Sequence, residues 1–266
     1  MASYTDQAGV SFQSYGAVKR IVSLAPSITE LLFDLGMEKE LVGVTYQCKF
    51  PAVKTKLKAK VGDYWQPNID AIRDLQPAIV FVNQFLIPRE TIEKLRSEFV
   101  VWESGVSSLE GALDQIRKIG ELTQKENIAN WLTEKVSTRF SEAIQNIGVD
   151  KTGKSVVFIT GFPNAWRAAG SNTLPDYMIG LLGYENALSS IDSYISLKSV
   201  TTAPKQPDFV FMPESLMAYQ PQFIHEIKSV FPDAQIRYVQ NEIMEWQGSR
   251  LLRSPKYLVE LKMSLK

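Results

Sequence analysis

Cysteine and histidine are nearly absent: Cys48 and His225 are the only ones among 266 residues. A single thiol cannot close an intrachain disulfide, and these two side chains cannot supply the Cys and His ligands of a structural zinc site. An excess of one charge is missing too. Lys and Arg number 29, Asp and Glu 29, so no net field draws the chain to nucleic acid. No run approaches the ~20 consecutive apolar residues that span a bilayer as a helix. The opening Met1-Ala-Ser-Tyr-Thr-Asp-Gln-Ala-Gly9 lacks a basic stretch followed by an apolar one and does not read as a secretory signal. A mature or recombinant form of an exported protein and a cytoplasmic protein both fit such a start. G-x-G-x-x-G does not occur, and Gly161 and Gly170 do not build a phosphate loop.

What is present is ordinary globular composition, 45% hydrophobic and 22% charged, enough for one large or two modest cores. It is arranged as a long-range repeat. Strand-like Arg20-Ile-Val-Ser-Leu24 leads to a helix ending at Gly36, then to Leu75-Gln-Pro-Ala-Ile-Val-Phe-Val82 and helical Ile92–Phe99. Ser155-Val-Val-Phe-Ile159, a helix ending at Gly183, Lys205-Gln-Pro-Asp-Phe-Val-Phe-Met212 and helical Ile224–Phe231 follow in the same order. The spacing is too long for a solenoid and predicts two similar α/β lobes with mostly parallel sheets and a ligand cleft between them. Ser27-Ile-Thr-Glu30 has the pattern of a capping box, and Thr173-Leu-Pro-Asp176 is a looser version of it.

Between the halves the chain is strongly helical. Leu109, Leu113, Ile116, Ile119 and Leu122 form one apolar series, and Ile128, Leu132, Val136, Phe140 and Ile144 a second at four-residue steps. The second helix, from Glu126 to Ile147, predicts a stiff connector and limited hinge motion. The expected organisation is an N-terminal lobe over 1–123, a connecting helix over 124–149 and a C-terminal lobe over 150–266.

Two sets of residues are candidates to line the cleft. The first half carries the longer loops, with Tyr46, Gln47, Cys48, Tyr64 and Trp65, and Asn83 at the end of its second strand. Aromatic faces and polar tips of this kind suit a large, flat, partly apolar ligand. The second half offers Trp166 and Arg167 in Phe162-Pro-Asn-Ala-Trp-Arg167, and Trp246 and Arg250 in Glu245-Trp-Gln-Gly-Ser-Arg250, for stacking and anion pairing. Against this stands the plainer alternative that the aromatics are core. Cys48 is either a buried thiol or a soft axial ligand to a ligand's metal. His225 lies in a helix beside Ile224 and Ile227 and reads as a solvated helix histidine rather than the base of a thiol enzyme.

The segment Arg20-Ile-Val-Ser-Leu-Ala-Pro-Ser-Ile-Thr-Glu-Leu-Leu-Phe-Asp-Leu-Gly36 followed by Leu41-Val-Gly-Val44 resembles the opening of solute-binding proteins of ATP-driven importers for cobalamin, haem and iron-siderophores. Ile69-Asp-Ala-Ile-Arg-Asp-Leu-Gln-Pro-Ala-Ile-Val80 and Trp246-Gln-Gly-Ser-Arg-Leu-Leu-Arg-Ser-Pro255 are similar to later segments of that family, the last to its cobalamin-binding branch. The resemblance implies a monomeric, non-enzymatic, periplasmic or cell-surface binding protein. Its ligand would be a small-molecule metal chelate, a corrinoid or else haem or an iron-siderophore, carried as cargo and not as a cofactor. A cytoplasmic enzyme or chelate-handling protein on the same frame is the alternative. The resemblance also implies an ABC permease partner docked through one exposed carboxylate on each lobe. Asp70 matches the first position, whereas Lys198 stands at the second. A related subgroup has Cys-x-His-Pro where this chain has Cys48-Lys-Phe-Pro51, so no Cys/His pair is available there.

Overall fold

A computed structural model describes residues 2–14, 16–148, 151–162, 165–200 and 206–265. The contacts divide the chain into two units. The first comprises 1–106, 110–137 and 247–249, and the second 107–109, 138–246 and 250–266.

The first unit opens with an antiparallel hairpin of β1 (Ala2–Thr5) and β2 (Ser11–Ser14). Then follow β3 (Ile21–Ser23), α1 (Pro26–Asp34), β4 (Leu41–Val44), α2 (Ala52–Lys56), β5 (Ala59–Lys60), α3 (Ile69–Asp74), β6 (Ile79–Asn83), α4 (Arg89–Arg96) and β7 (Val101–Ser104). These five later strands form one parallel sheet in the order β5-β4-β3-β6-β7. Its central strands are apolar without alternation because both faces are covered. Val22, Val80, Val82, Ile72, Ile92 and Leu95 pack into one buried cluster. The helices α5 (Leu109–Leu122) and α6 (Glu126–Ile147) follow, and α6 continues from the first unit into the second.

The second unit holds β8 (Ser155–Thr160), β9 (Arg167–Ala169), α7 (Leu174–Leu181), β10 (Glu185–Asn186), β11 (Tyr194–Ser196), β12 (Phe209–Pro213), α8 (Gln220–Val230), β13 (Gln235–Val239), α9 (Asn241–Met244) and α10 (Ser254–Ser264). Strands β8, β12 and β13 are parallel, while β9 and β11 add antiparallel strands on the other side of β8. The repeat read from sequence is present down to the helix ends. Gly36 and Gly183, at φ 80° and 77°, terminate α1 and α7 in the left-handed conformation that glycine adopts without strain. In both, the next residue's N–H returns to the helix, Met37 to Leu32 O and Tyr184 to Ile179 O.

Two local expectations change. The Ser27–Glu30 capping box does not form: α1 begins one residue earlier, at Pro26, with Ala25 as an N-cap that makes no side-chain bond. Pro26 supplies the helical φ and has no N–H to satisfy, so the start needs no side-chain acceptor. Thr173 does cap α7, accepting from Asp176 N. In α6 the buried face runs through Ala129, Leu132, Val136, Phe140 and Ala143, while Ile128 and Ile144 are exposed. Steps of four residues drift by about 40° each on a helix of 3.6 residues per turn, so the ends of such a series leave the face its middle occupies.

The N-terminal hairpin is fastened by a buried carboxylate. Asp6 Oδ1 accepts from the N–H groups of Ala8 and Val10, and Oδ2 from Glu103 N at 3.0 Å and Arg96 Nη2 at 3.3 Å. Arg96 also pairs with the buried Glu103 at 2.9 Å. Asp6→Ala should therefore strand several buried donors and cost about 3 kcal/mol, read as a lower denaturant midpoint at unchanged slope. An unchanged midpoint would show the hairpin to be energetically idle.

Candidate functional site

In the first unit the candidate residues gather where β4 and β5 end. Beyond β4 the chain turns through Thr45, Tyr46 and Gln47. Tyr46 is 59% exposed. Gln47 bridges to the neighbouring loop, donating from Nε2 to Asp63 Oδ1 at 2.5 Å and accepting from Tyr64 N at 3.3 Å. Tyr64 and Trp65 meet edge to face, centroids 4.9 Å apart, and both are half-buried. Tyr64 also packs on the core cluster, so only part of its surface is available.

Cys48 is not placed as an accessible axial ligand. It is 1% exposed, and its Sγ lies 3.1 Å from both Thr29 Oγ1 and Thr45 Oγ1. Burial pushes its pKa up, against the opposing effect of those hydroxyls, so it stays a protonated thiol. Among the described residues no group of three or more His, Cys, Asp and Glu side chains is arranged for a metal ion. Asn83 is buried as well. Its Oδ1 accepts from Phe85 N at 2.9 Å, which makes it the closing turn of β6 rather than an open ligand contact.

In the second unit Trp166 and Arg167 part company. Trp166 is 4% exposed and stacks on Phe223 with centroids 3.7 Å apart, inside the core. The expectation that it lines a ligand wall is corrected. Successive side chains of an extended segment point to opposite faces, so a buried Trp166 turns Arg167 the other way. Pro163 and Asn164 of the same segment lie outside the described residues. The Arg167 guanidinium sits over the Tyr194 ring at 4.8 Å, and Arg250 over Trp246 at 4.7 Å. Trp246 and Arg250 are half-buried.

Glu245 and Tyr194 are the residues that sequence reasoning missed. Glu245 accepts from Thr160 Oγ1 at 2.9 Å and from Tyr194 OH at 3.2 Å. Thr160 ends β8, Arg167 begins β9 and Tyr194 begins β11, so three strands and the loop after α9 meet here. Burial raises the carboxyl pKa of Glu245, with Thr160, Arg167 and Tyr194 opposing. Burial and then the neighbouring carboxylate push the Tyr194 phenol well above its ordinary value, so it remains a neutral donor. No motif announces this group, because its members are far apart in the chain.

The segment after Trp246 returns to the first unit. Gln247 Oε1 accepts from Ser104 Oγ at 3.0 Å, and its carbonyl accepts from Gln115 Nε2 at 2.8 Å. At Gly248 a Cβ would stand 2.9 Å from Ser27 O, a distance that backbone cannot accommodate without moving. The Gln-Gly pair of this loop is thus explained by packing.

Residues 21–234 match the periplasmic binding protein family. The chain belongs to that family. It is a binding protein and not an enzyme, and a cytoplasmic enzyme on this frame finds no support. A vitamin B12-binding protein of Vibrio campbellii is 25% identical over 210 residues, 76% of this chain and 74% of that one. An uncharacterised ABC transporter substrate-binding lipoprotein of Bacillus subtilis is 23% identical over 207 residues, covering 75% of this chain but only 65% of its own length. The crystal structure of a periplasmic heme-binding protein of Vibrio cholerae superposes with a TM-score of 0.67 at 26% identity, covering 93% of this chain and 98% of that one. The α/β fold with parallel-strand sheets is that of the bilobal members of the family.

The raised carboxyl pKa of Glu245 gives a pH signature. Glu245 holds its proton more tightly folded than unfolded, so its stabilisation is complete below the ordinary carboxylate range and is lost as pH rises through the raised value. Glu245→Gln, which cannot ionise, should gain in melting temperature relative to wild type as pH rises through that window. A difference between the two proteins that does not vary with pH would remove Glu245 as the source.

Proposed function

We propose that this binding protein serves an ABC importer and carries a corrinoid of the cobalamin type. The observation that carries this reading is the family match over most of the chain, joined by a vitamin B12-binding relative aligned over three quarters of it. The side chains support it. Tyr46, Gln47, Tyr64 and Trp65 of the first unit, and Arg167, Trp246 and Arg250 of the second, are the proposed contacts. They offer aromatic faces for a flat macrocycle and guanidinium groups for its amide and phosphate edges. A haem or iron chelate is the second reading, favoured by the heme-binding protein of Vibrio cholerae. The buried Cys48 favours the corrinoid, because this thiol is committed to Thr29 and Thr45 and is not free to ligate iron.

The proposed setting is extracytoplasmic, as a monomer, in keeping with the periplasmic family and the lipoprotein relative. Asp70 is the proposed contact for the permease on the first unit. Its side chain is 84% exposed in the first turn of α3, although Arg73 pairs with it and with Glu98. Lys198, exposed on the turn Leu197–Ser199, would present the opposite charge on the second unit. It calls for an acidic residue on the permease, and Lys198→Glu should then weaken the complex, most visibly at low salt. Tighter binding of that variant would reverse the assignment.

Protein purified from cells grown with cobalamin or with haem should carry the absorption bands of the bound corrinoid in the first case only. Trp65→Ala and Trp246→Ala should each weaken cyanocobalamin binding by ~1–3 kcal/mol in fluorescence titration, with the fold intact. Haem bands without corrinoid bands would promote the second reading. Unchanged affinity in both variants would assign these tryptophans to packing.

A further inference from the structure

The outward face of α2 in the first unit contributes none of the proposed ligand or permease contacts. From Leu41 to Gly62 the chain has 22 residues without an Asp or Glu, and five lysines, at 49, 54, 56, 58 and 60. In a chain of zero net charge this is a local excess of positive charge. At its centre stands α2. Thr55 is the buried anchor of that helix, 2% exposed, with its hydroxyl donating to Pro51 O at 3.0 Å. On either side of the anchor Ala52, Val53, Lys54, Lys56 and Leu57 are exposed. Val53 and Leu57 are 75% and 78% exposed, the two most exposed large apolar side chains among the described residues. They are four residues apart, hence neighbours on one helical face. Lys49 and Lys56 are exposed beside them. Lys54 pairs with Glu38, and Lys58 Nζ donates to Glu38 O at 2.5 Å, so those two ammonium groups are held along the flank of the helix.

We propose that α2 and its lysines are a membrane-surface contact, seated on an anionic bilayer with Val53 and Leu57 dipping into the headgroup region. Two protruding aliphatic side chains ringed by cations, on a piece of backbone pinned by one buried hydroxyl, are the elements of an interfacial anchor. The charge comes from lysine alone. Compact ammonium groups suit a diffuse layer of phosphate headgroups, whereas bidentate recognition of carboxylates on a protein partner is the province of arginine. Adjacent lysines attracted to such a layer act together, and their effect falls off within a Debye length. The contact is weak by construction. It would orient a protein already held near a membrane rather than recruit one from bulk.

Flotation of the intact protein with phosphatidylcholine vesicles containing about 30% phosphatidylglycerol tests this, at about 20 mM and about 300 mM salt. The expected result is binding to the anionic vesicles at low salt, at least about fivefold above pure phosphatidylcholine, and loss of most of it at high salt. Val53→Ser with Leu57→Ser, and separately Lys49→Gln with Lys56→Gln, should each reduce binding several-fold. All four side chains are exposed, and an unchanged melting temperature would verify that both variants fold. Equal partition onto neutral and anionic vesicles, or full binding by either double variant, would overturn the proposal. So would the absence of vesicle binding together with retention on a polyglutamate column, which would assign the patch to an acidic protein.

Discussion

Burial of parallel strands on both faces is the constraint on which the rest depends. Ile79-Val-Phe-Val82 and Val156-Val-Phe-Ile159 are wholly out of water. Their backbone groups can be satisfied only by the strands alongside, β3 and β7 for β6, and β12 with β9 and β10 for β8. That requirement keeps β6 and β8 off the sheet edges. It also makes the strand ends the first positions where polar side chains can stand, and Asn83, Ser104 and Thr160 close β6, β7 and β8. Sites in such folds form at the carboxyl ends of strands for this reason.

The same constraint separates aromatic residues that look alike in sequence. Trp166 and Trp246 each precede or follow an arginine by a few residues, in loops next to strands. Trp166 lies one residue before β9 and is drawn into the core against Phe223. Trp246 lies beyond α9, where the chain leaves the second unit for Gln247, and it is half-buried under Arg250. Polar groups sort likewise. Glu245 keeps a carboxyl among Thr160 and Tyr194, while Asp6 and Glu103 are neutralised by Arg96 and Arg89. These three acids are each hydrogen-bonded, as the cost of desolvation demands.

Much of the fold was legible before any coordinates. Strand and helix order, the paired halves, the long helix to Ile147 and the glycine stops at Gly36 and Gly183 all follow from local patterns of apolar, glycine and proline residues. The antiparallel β9 and β11 and the N-terminal hairpin were not anticipated. Strands of three or four residues are too short to carry a period. The Ser27 capping box misled because proline at the first helical position makes a side-chain cap unnecessary.

The candidate site divides along the same line. By itself the sequence determined the residue types on offer, aromatics, arginines and a lone thiol, and through its opening segment the family to which the chain belongs. Tertiary structure alone decided that Cys48 is enclosed by Thr29 and Thr45, that Asn83 closes a turn, that Glu245 meets Tyr194, and that Gln247 returns to Ser104. The physical reason is range. Periodicity and turn chemistry act over a few residues, whereas burial and hydrogen bonding at these positions are set by partners as far as 143 residues away in the chain.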